Sequence, residues 1–181
     1  MDLSTTERSS RILSTSEPDV FTGFVRMEMD RLYTWAQEVA YRTAPDWELF
    51  WRLMFLGDVK HFELFGRGFT GLRYRATTNG PVVPDALFLM EHLRKEQVLK
   101  FNVSGWQAGG SGHRVHSHPF FYPPELQAHW DAGAVSEALR LSNGTWSAEA
   151  ILRACQRAPQ WKAWVDEGAW IPYDIVMDLV V

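Results

Sequence analysis

The stretch from Trp47 to Phe65 constrains this chain most. It is a long, strongly apolar segment that offers Phe50, Leu53, Met54, Leu56, Val59, Phe62 and Phe65 for burial at helical spacing. Pro45-Asp46 restarts the chain just ahead of it, and Gly66 stands where a left-handed residue closes a helix. A helix is therefore expected over Trp47–Phe65, with a glycine cap.

Other elements follow from local pattern. Residues 1–17 are rich in Ser and Thr, carry scattered charge and show no sustained period, so they read as a flexible tail ahead of a single domain over 18–181. Ser16-Glu17-Pro18-Asp19 has the residues of a helix start. Phe21, Phe24, Val25, Leu32, Trp35, Ala36 and Val39 then recur at three- and four-residue steps, which predicts one amphipathic helix to about Thr43. From Arg67 to Thr78 the helical face is lost and an extended or looped path is expected. Asn79-Gly80-Pro81 reads as a turn, and Pro84-Asp85 as the opening of a helix to about Lys95. Gln97–Ser104 and Arg114–Phe121 read as two strands of a β-hairpin around the loop GWQAGGSG. Helices are expected from Pro123 to about Leu141, from Ser147 through Arg157, from Pro159 to near Gly168, and from Pro172 onward. The fold class is α+β, predominantly α-helical, with a small β-hairpin or sheet.

Composition excludes several roles. With 46% hydrophobic and 22% charged residues over 181 positions, the chain has material for a core. A net charge of −4 argues against a non-specific nucleic-acid binder. The lone Cys155 excludes a disulfide scaffold. Apolar runs fall short of the ~20 residues that span a bilayer, and the N-terminus lacks the apolar core of a signal peptide. A cytoplasmic protein without a membrane partner is the expectation. The aromatic content of 14%, with nine Trp and eleven Phe, leaves two readings open, a core of large side chains or a surface that meets another protein.

Candidate chemistry is sparse. His113, His116 and His118 form a cluster with a metal alternative, in which His129 or Asp131 would add a ligand; zinc needs three or four converging groups. A solvated or partner-facing patch is the plainer reading. AGGSG lacks the Lys-Ser/Thr ending of a phosphate loop, and Ser111 lacks the glycine frame of a nucleophile elbow. Cys155 reads as a buried structural thiol. Arg67, Arg73 and Arg75 form a basic strip beside Phe69 and Tyr74, suited to a solvated face or an acidic partner patch more than to a phosphate or RNA. Asp58 and His61, at i and i+3, share one helix face; a buried hydrogen-bonded pair that orients the following loop is the preferred reading, ahead of an acid–base catalytic pair.

The block FWRLMFLGDVKHFELFGRGFTGLRYRATTNGPVVPDAL, residues 50–87, resembles the core of the Panacea domain, the SocA-like antitoxin family of bacterial toxin–antitoxin systems. Asp58 and His61 match that family's acid–histidine pair, Gly66 its glycine, and Phe69-Thr70-Gly71 its extended entry. Gly80, Pro81, Val82 and Pro84 match its Gly-Pro-Val-Pro element, with Val83 inserted and Asn79 where the family often carries Tyr. Trp161, Gly168, Ile171, Pro172 and Tyr173 are similar to its closing element; its Ser-His pair is replaced by Ala158-Pro159-Gln160. Elementary chemistry assigns these residues structural work too: Gly66 and Gly80 permit backbone angles that side chains forbid, and Pro81 and Pro84 remove donors orphaned at a helix start.

The resemblance implies a compact helical domain that neutralises a cognate toxin by direct protein contact, in a bacterium or a phage, with no catalysis and no cofactor. A protease or chaperone stays open as a further partner. Trp106, Trp130 and Trp146, outside the matched blocks, are the first candidates for toxin contact. The alternatives are a metal-dependent enzyme using the histidine cluster and a DNA-binding autoregulator of the toxin–antitoxin operon.

Overall fold

The computed structural model describes residues 17–101, 114–119 and 147–175. The fold is α+β and predominantly helical. Its elements in chain order are α1 (Met29–Thr43), α2 (Trp47–Phe65), β1 (Arg75–Thr77), β2 (Gly80–Val82), α3 (Ala86–Lys95), β3 (Leu99–Phe101), β4 (Val115–Ser117), α4 (Ala148–Arg157) and α5 (Trp161–Glu167).

Helix α2 is the axis. Every residue from Phe50 to Val59 is buried, so the helix is covered on all sides through its middle. Its ends are fastened as expected: the Asp46 carboxylate accepts from the Leu49 amide at 2.8 Å, and Gly66 closes the helix at φ 67°. Helix α1 crosses α2 at Gly57. A Cβ there would sit 1.8 Å from Cζ2 of Trp35, so the glycine makes room for the indole, whose Nε1 donates to the Met54 carbonyl at 3.2 Å.

The N-terminal part of the expected first helix is not helical. Asp19 caps a single 3-10 turn over Val20–Thr22, α1 begins only at Met29, and Ser16 lies outside the described residues. Gly23 and Phe24 both take left-handed backbone angles at φ 60°, which no helix continues through. Residues Arg26 and Met27 then lie against Gly71, where a Cβ would come within 2.7 Å of the Met27 amide nitrogen. Burial follows the same division. Leu32, Trp35, Ala36 and Val39 enter the core, whereas Phe24 is 56% exposed.

Two hairpins complete the fold. Arg75↔Val82, Ala76↔Pro81 and Thr77↔Gly80 pair antiparallel in the first. Its turn is Thr78-Asn79, so Gly80-Pro81 lies in a strand and not in the turn where it was expected, and Pro81 does not start a helix. Residues 169–171 run along the other edge of β1: the Ala76 amide donates to the Ala169 carbonyl at 3.0 Å, and that of Ile171 to the Tyr74 carbonyl at 2.8 Å. The second hairpin pairs Leu99↔Ser117, Lys100↔His116 and Phe101↔Val115, inside the strands expected there. Ser147 caps α4 through the Ala150 amide. Pro172 starts no helix among the described residues; residues 172–175 make a turn closed by the Ile175 amide on the Pro172 carbonyl at 3.3 Å. The helix expected over 123–141 lies outside the described residues. No described helix is long and apolar enough to cross a membrane.

Candidate functional site

Asp58, in the buried stretch of α2, is completely buried. Its Oδ1 accepts the Phe69 amide at 3.0 Å and the Thr70 amide at 2.7 Å. Its Oδ2 accepts the Thr70 hydroxyl at 2.5 Å and the Tyr74 hydroxyl at 2.7 Å. One carboxylate thus fixes the path of residues 69–74. Burial pushes its carboxyl above the ordinary range, against the downward pull of these hydrogen bonds. Burial, and next the Asp58 charge, hold the phenols of Tyr74 and Tyr173 well above their ordinary range.

His61, one turn further along α2, is also buried. Its Nδ1 lies 2.7 Å from the Arg67 carbonyl, to which it donates, and its ring meets Phe65 and Phe69 at 4.6 Å and 5.3 Å between centroids. Asp58 and His61 therefore hold the two ends of one loop, the aspartate at Phe69-Thr70 and the histidine at Arg67. Gly66 is the cap before that loop, and Gly80 passes beside Arg52, where a Cβ would meet Nε at 3.1 Å. Pro84 is half-buried two residues before α3, behind an Asp85 at φ 61°.

The closing element is fastened to the same loop. The Tyr173 hydroxyl donates to the Leu72 carbonyl at 2.5 Å, and the Tyr173 amide to the Val20 carbonyl at 3.0 Å. Its ring fills a slot between two glycines: a Cβ on Gly23 or Gly68 would approach ring carbons to 2.5 Å. Trp161 is buried in the core, and Pro172 is half-buried.

Arg52, which sequence reasoning passed over, ties three elements together. It is 4% exposed and donates to the carbonyls of Ala148 and Asn79 and to the Glu48 carboxylate. A lone arginine inside an apolar helix is the one signal that could have found it. Cys155 is buried, and burial pushes its thiol up to about 12, well away from nucleophilic character at neutral pH.

The basic strip is arranged differently from its expectation. Phe69 and Tyr74 face the core, so they do not accompany the arginines on the surface. Arg73 pairs with Asp19 at 2.6 Å, and Arg75 lies over Trp170 with its guanidinium carbon 4.8 Å from the ring centroid. His116 is exposed on β4 and His118 follows it half-buried, its carbonyl accepting from Gln37 at 3.3 Å. Among the described residues no group of three His, Cys, Asp or Glu could hold a metal. His113, His129, Asp131, Trp106, Trp130 and Trp146 lie outside the described residues.

One surface feature gathers large apolar side chains. At the end of α2, Leu64 is 56% exposed and Phe65 39% exposed. Phe24 stacks on the half-buried Phe62 at 6.2 Å, and Phe62 meets Tyr173 edge-on at 6.3 Å. The exposed ring of Phe24 thus stands, through Phe62 and Tyr173, on the loop that Asp58 holds. Searches of protein-family models, of curated proteins and of solved structures find no match to this chain.

Proposed function

We propose that this chain is an antitoxin of the Panacea-like kind, which neutralises a cognate toxin by direct protein contact and performs no catalysis. The observation that carries the reading is the aromatic end of α2. Phe24 lies exposed on the ring of Phe62, Leu64 and Phe65 are exposed at the same end of the helix, and Phe24 is held at a backbone angle unfavourable for its side chain. Exposed apolar clusters of this kind mark contact surfaces, and strained residues gather where function retains them. The loop beneath supports the same reading, because a surface that Asp58, His61 and Tyr173 hold fixed loses little freedom when a partner binds. Asp58 and His61 then serve as anchors of a platform, not as an acid–base pair.

The test is co-expression of the full chain with the toxin encoded beside it. Growth should be rescued and a stable complex should co-purify. The double substitution Phe24→Asp, Phe65→Asp should abolish both while leaving the unfolding midpoint within the range of ordinary surface changes. Persistent growth inhibition by the wild-type pair, with no retained partner, overturns the proposal.

A further inference from the structure

The face of the first hairpin that points away from the core carries a second, chemically different surface. Alternation along β1 turns Tyr74 and Ala76 inward and Arg75 outward. Arg75 pairs with Val82 on one side and with Trp170 on the other, so the three side chains form one row across the strands. Val82 is 37% exposed. Arg75 lies over the indole of Trp170 at 4.8 Å, and Arg73 stands 6.0 Å from the same ring.

The two arginines differ in one respect. Arg73 is neutralised by Asp19 at 2.6 Å, whereas the Arg75 guanidinium meets no acceptor among the described residues. Arg75 is exposed beside Trp170, and a guanidinium held by an aromatic ring in this way keeps the N–H fork that a carboxylate fills with two parallel bonds.

We infer that the row Val82–Arg75–Trp170 is a docking platform for an Asp or Glu side chain, flanked by an apolar residue, on a protein partner. The charge count selects this occupant. One guanidinium without an acid partner among the described residues, set between two apolar side chains, matches one carboxylate beside one apolar group, whereas a nucleic acid draws its affinity from a series of cations, each displacing a counterion. The inference rests on the proposed function only in taking the partner to be a polypeptide. Peptide binding without growth rescue would retire the antitoxin role and leave the platform standing. Growth rescue by a chain that binds no acidic peptide at Arg75 would do the reverse.

The experiment is an NMR titration of the full chain, following the Arg75 Nε–H and Trp170 Nε1–H resonances. The probes are a blocked hexapeptide alternating Glu with Leu, its Gln-for-Glu counterpart, and a single-stranded RNA hexamer at matched ionic strength. Saturable shifts of both resonances with the Glu peptide alone are expected. Arg75→Gln should weaken that binding about tenfold, the loss of one charge-assisted bidentate contact. Arg75→Lys, which keeps the charge and loses the fork, should weaken it several-fold, and Arg153→Gln on α4 should leave it unchanged. A silent Arg75 resonance, equal binding of the Gln peptide, or tighter binding of the RNA would each overturn the inference.

Discussion

Replacing Asp58 tests the loop-anchoring role most directly. Asp58→Ala leaves four buried donors without their acceptor: the amides of Phe69 and Thr70 and the hydroxyls of Thr70 and Tyr74. The hydroxyls can turn toward other acceptors, but the amides cannot. At about 1–3 kcal/mol for each stranded buried group, the two amides alone cost roughly 2–6 kcal/mol. That is a large part of the ~5–15 kcal/mol that holds a domain folded. Asp58→Asn keeps one oxygen for the amides and turns an NH2 toward two hydroxyls able to accept, so roughly 1–2 kcal/mol is expected. Urea unfolding followed by tryptophan fluorescence reads both. With a slope of about 2 kcal/mol/M, a loss of 4 kcal/mol moves the midpoint by ~2 M. An Asp58→Ala protein within about 1 kcal/mol of wild type would refute the reasoning, because it would mean the amides find other acceptors at no cost.

The same pair of proteins gives a pH signature. Burial raises the Asp58 carboxyl above its ordinary 3.8, so between that value and the raised one the native chain holds a proton that the unfolded chain has released. The native state then binds more protons than the unfolded state, and the stability from this group falls as pH rises through the window. Asp58→Asn has no such titration. The stability gap between wild type and Asp58→Asn should therefore be widest below the ordinary carboxyl range and narrow with rising pH. A gap that widens with pH would mean that the four donors outweigh desolvation.

Four further substitutions probe the packing and the Arg52 clamp. Gly57→Ala should cost about 2 kcal/mol despite a better helix propensity, because its Cβ would lie 1.8 Å from Trp35; a thermal melt should drop by roughly 4–8 °C. Gly68→Ala should cost about 2 kcal/mol by expelling the Tyr173 ring, with a Cβ 2.5 Å from Cε2. Gly66→Ala meets nothing within 4 Å and should cost only the ~1 kcal/mol of a left-handed alanine; equal losses in urea midpoint for the two glycines would contradict this. Arg52→Met should cost roughly 2–4 kcal/mol by stranding the carbonyls of Asn79 and Ala148, and hydrogen exchange should show faster opening of α4 than of α1.

Particular residues show what was legible in the chain and what was not. Local signals, which act within a turn or two, were readable. Asp46 and Gly66 mark the ends of α2, Ser147 marks the start of α4, and alternation before and after the glycine-rich loop marks the second hairpin. Failures came where distant segments compete with local preference. The helix expected from residue 16 gives way at Gly23-Phe24, because Tyr173, a residue about 150 positions later, occupies the slot between Gly23 and Gly68. The first hairpin acquires its third edge from residues 169–171, and no period in residues 67–78 announces that.

The candidate site divides along the same line. Sequence alone placed Asp58 and His61 on one face of a buried helix, since helical geometry sets that from their spacing. Tertiary structure decided what they hold: Thr70 and Tyr74 for the aspartate, the Arg67 carbonyl for the histidine, and Tyr173 as the bolt across the loop. It also decided that Arg52 would clamp three elements from inside the core and that Phe24 would stand outside it. Periodicity reports which side chains leave water, and turn residues report where elements end. The partner of a buried polar group depends on which segments the fold brings within about 3 Å, and no local pattern carries that distance.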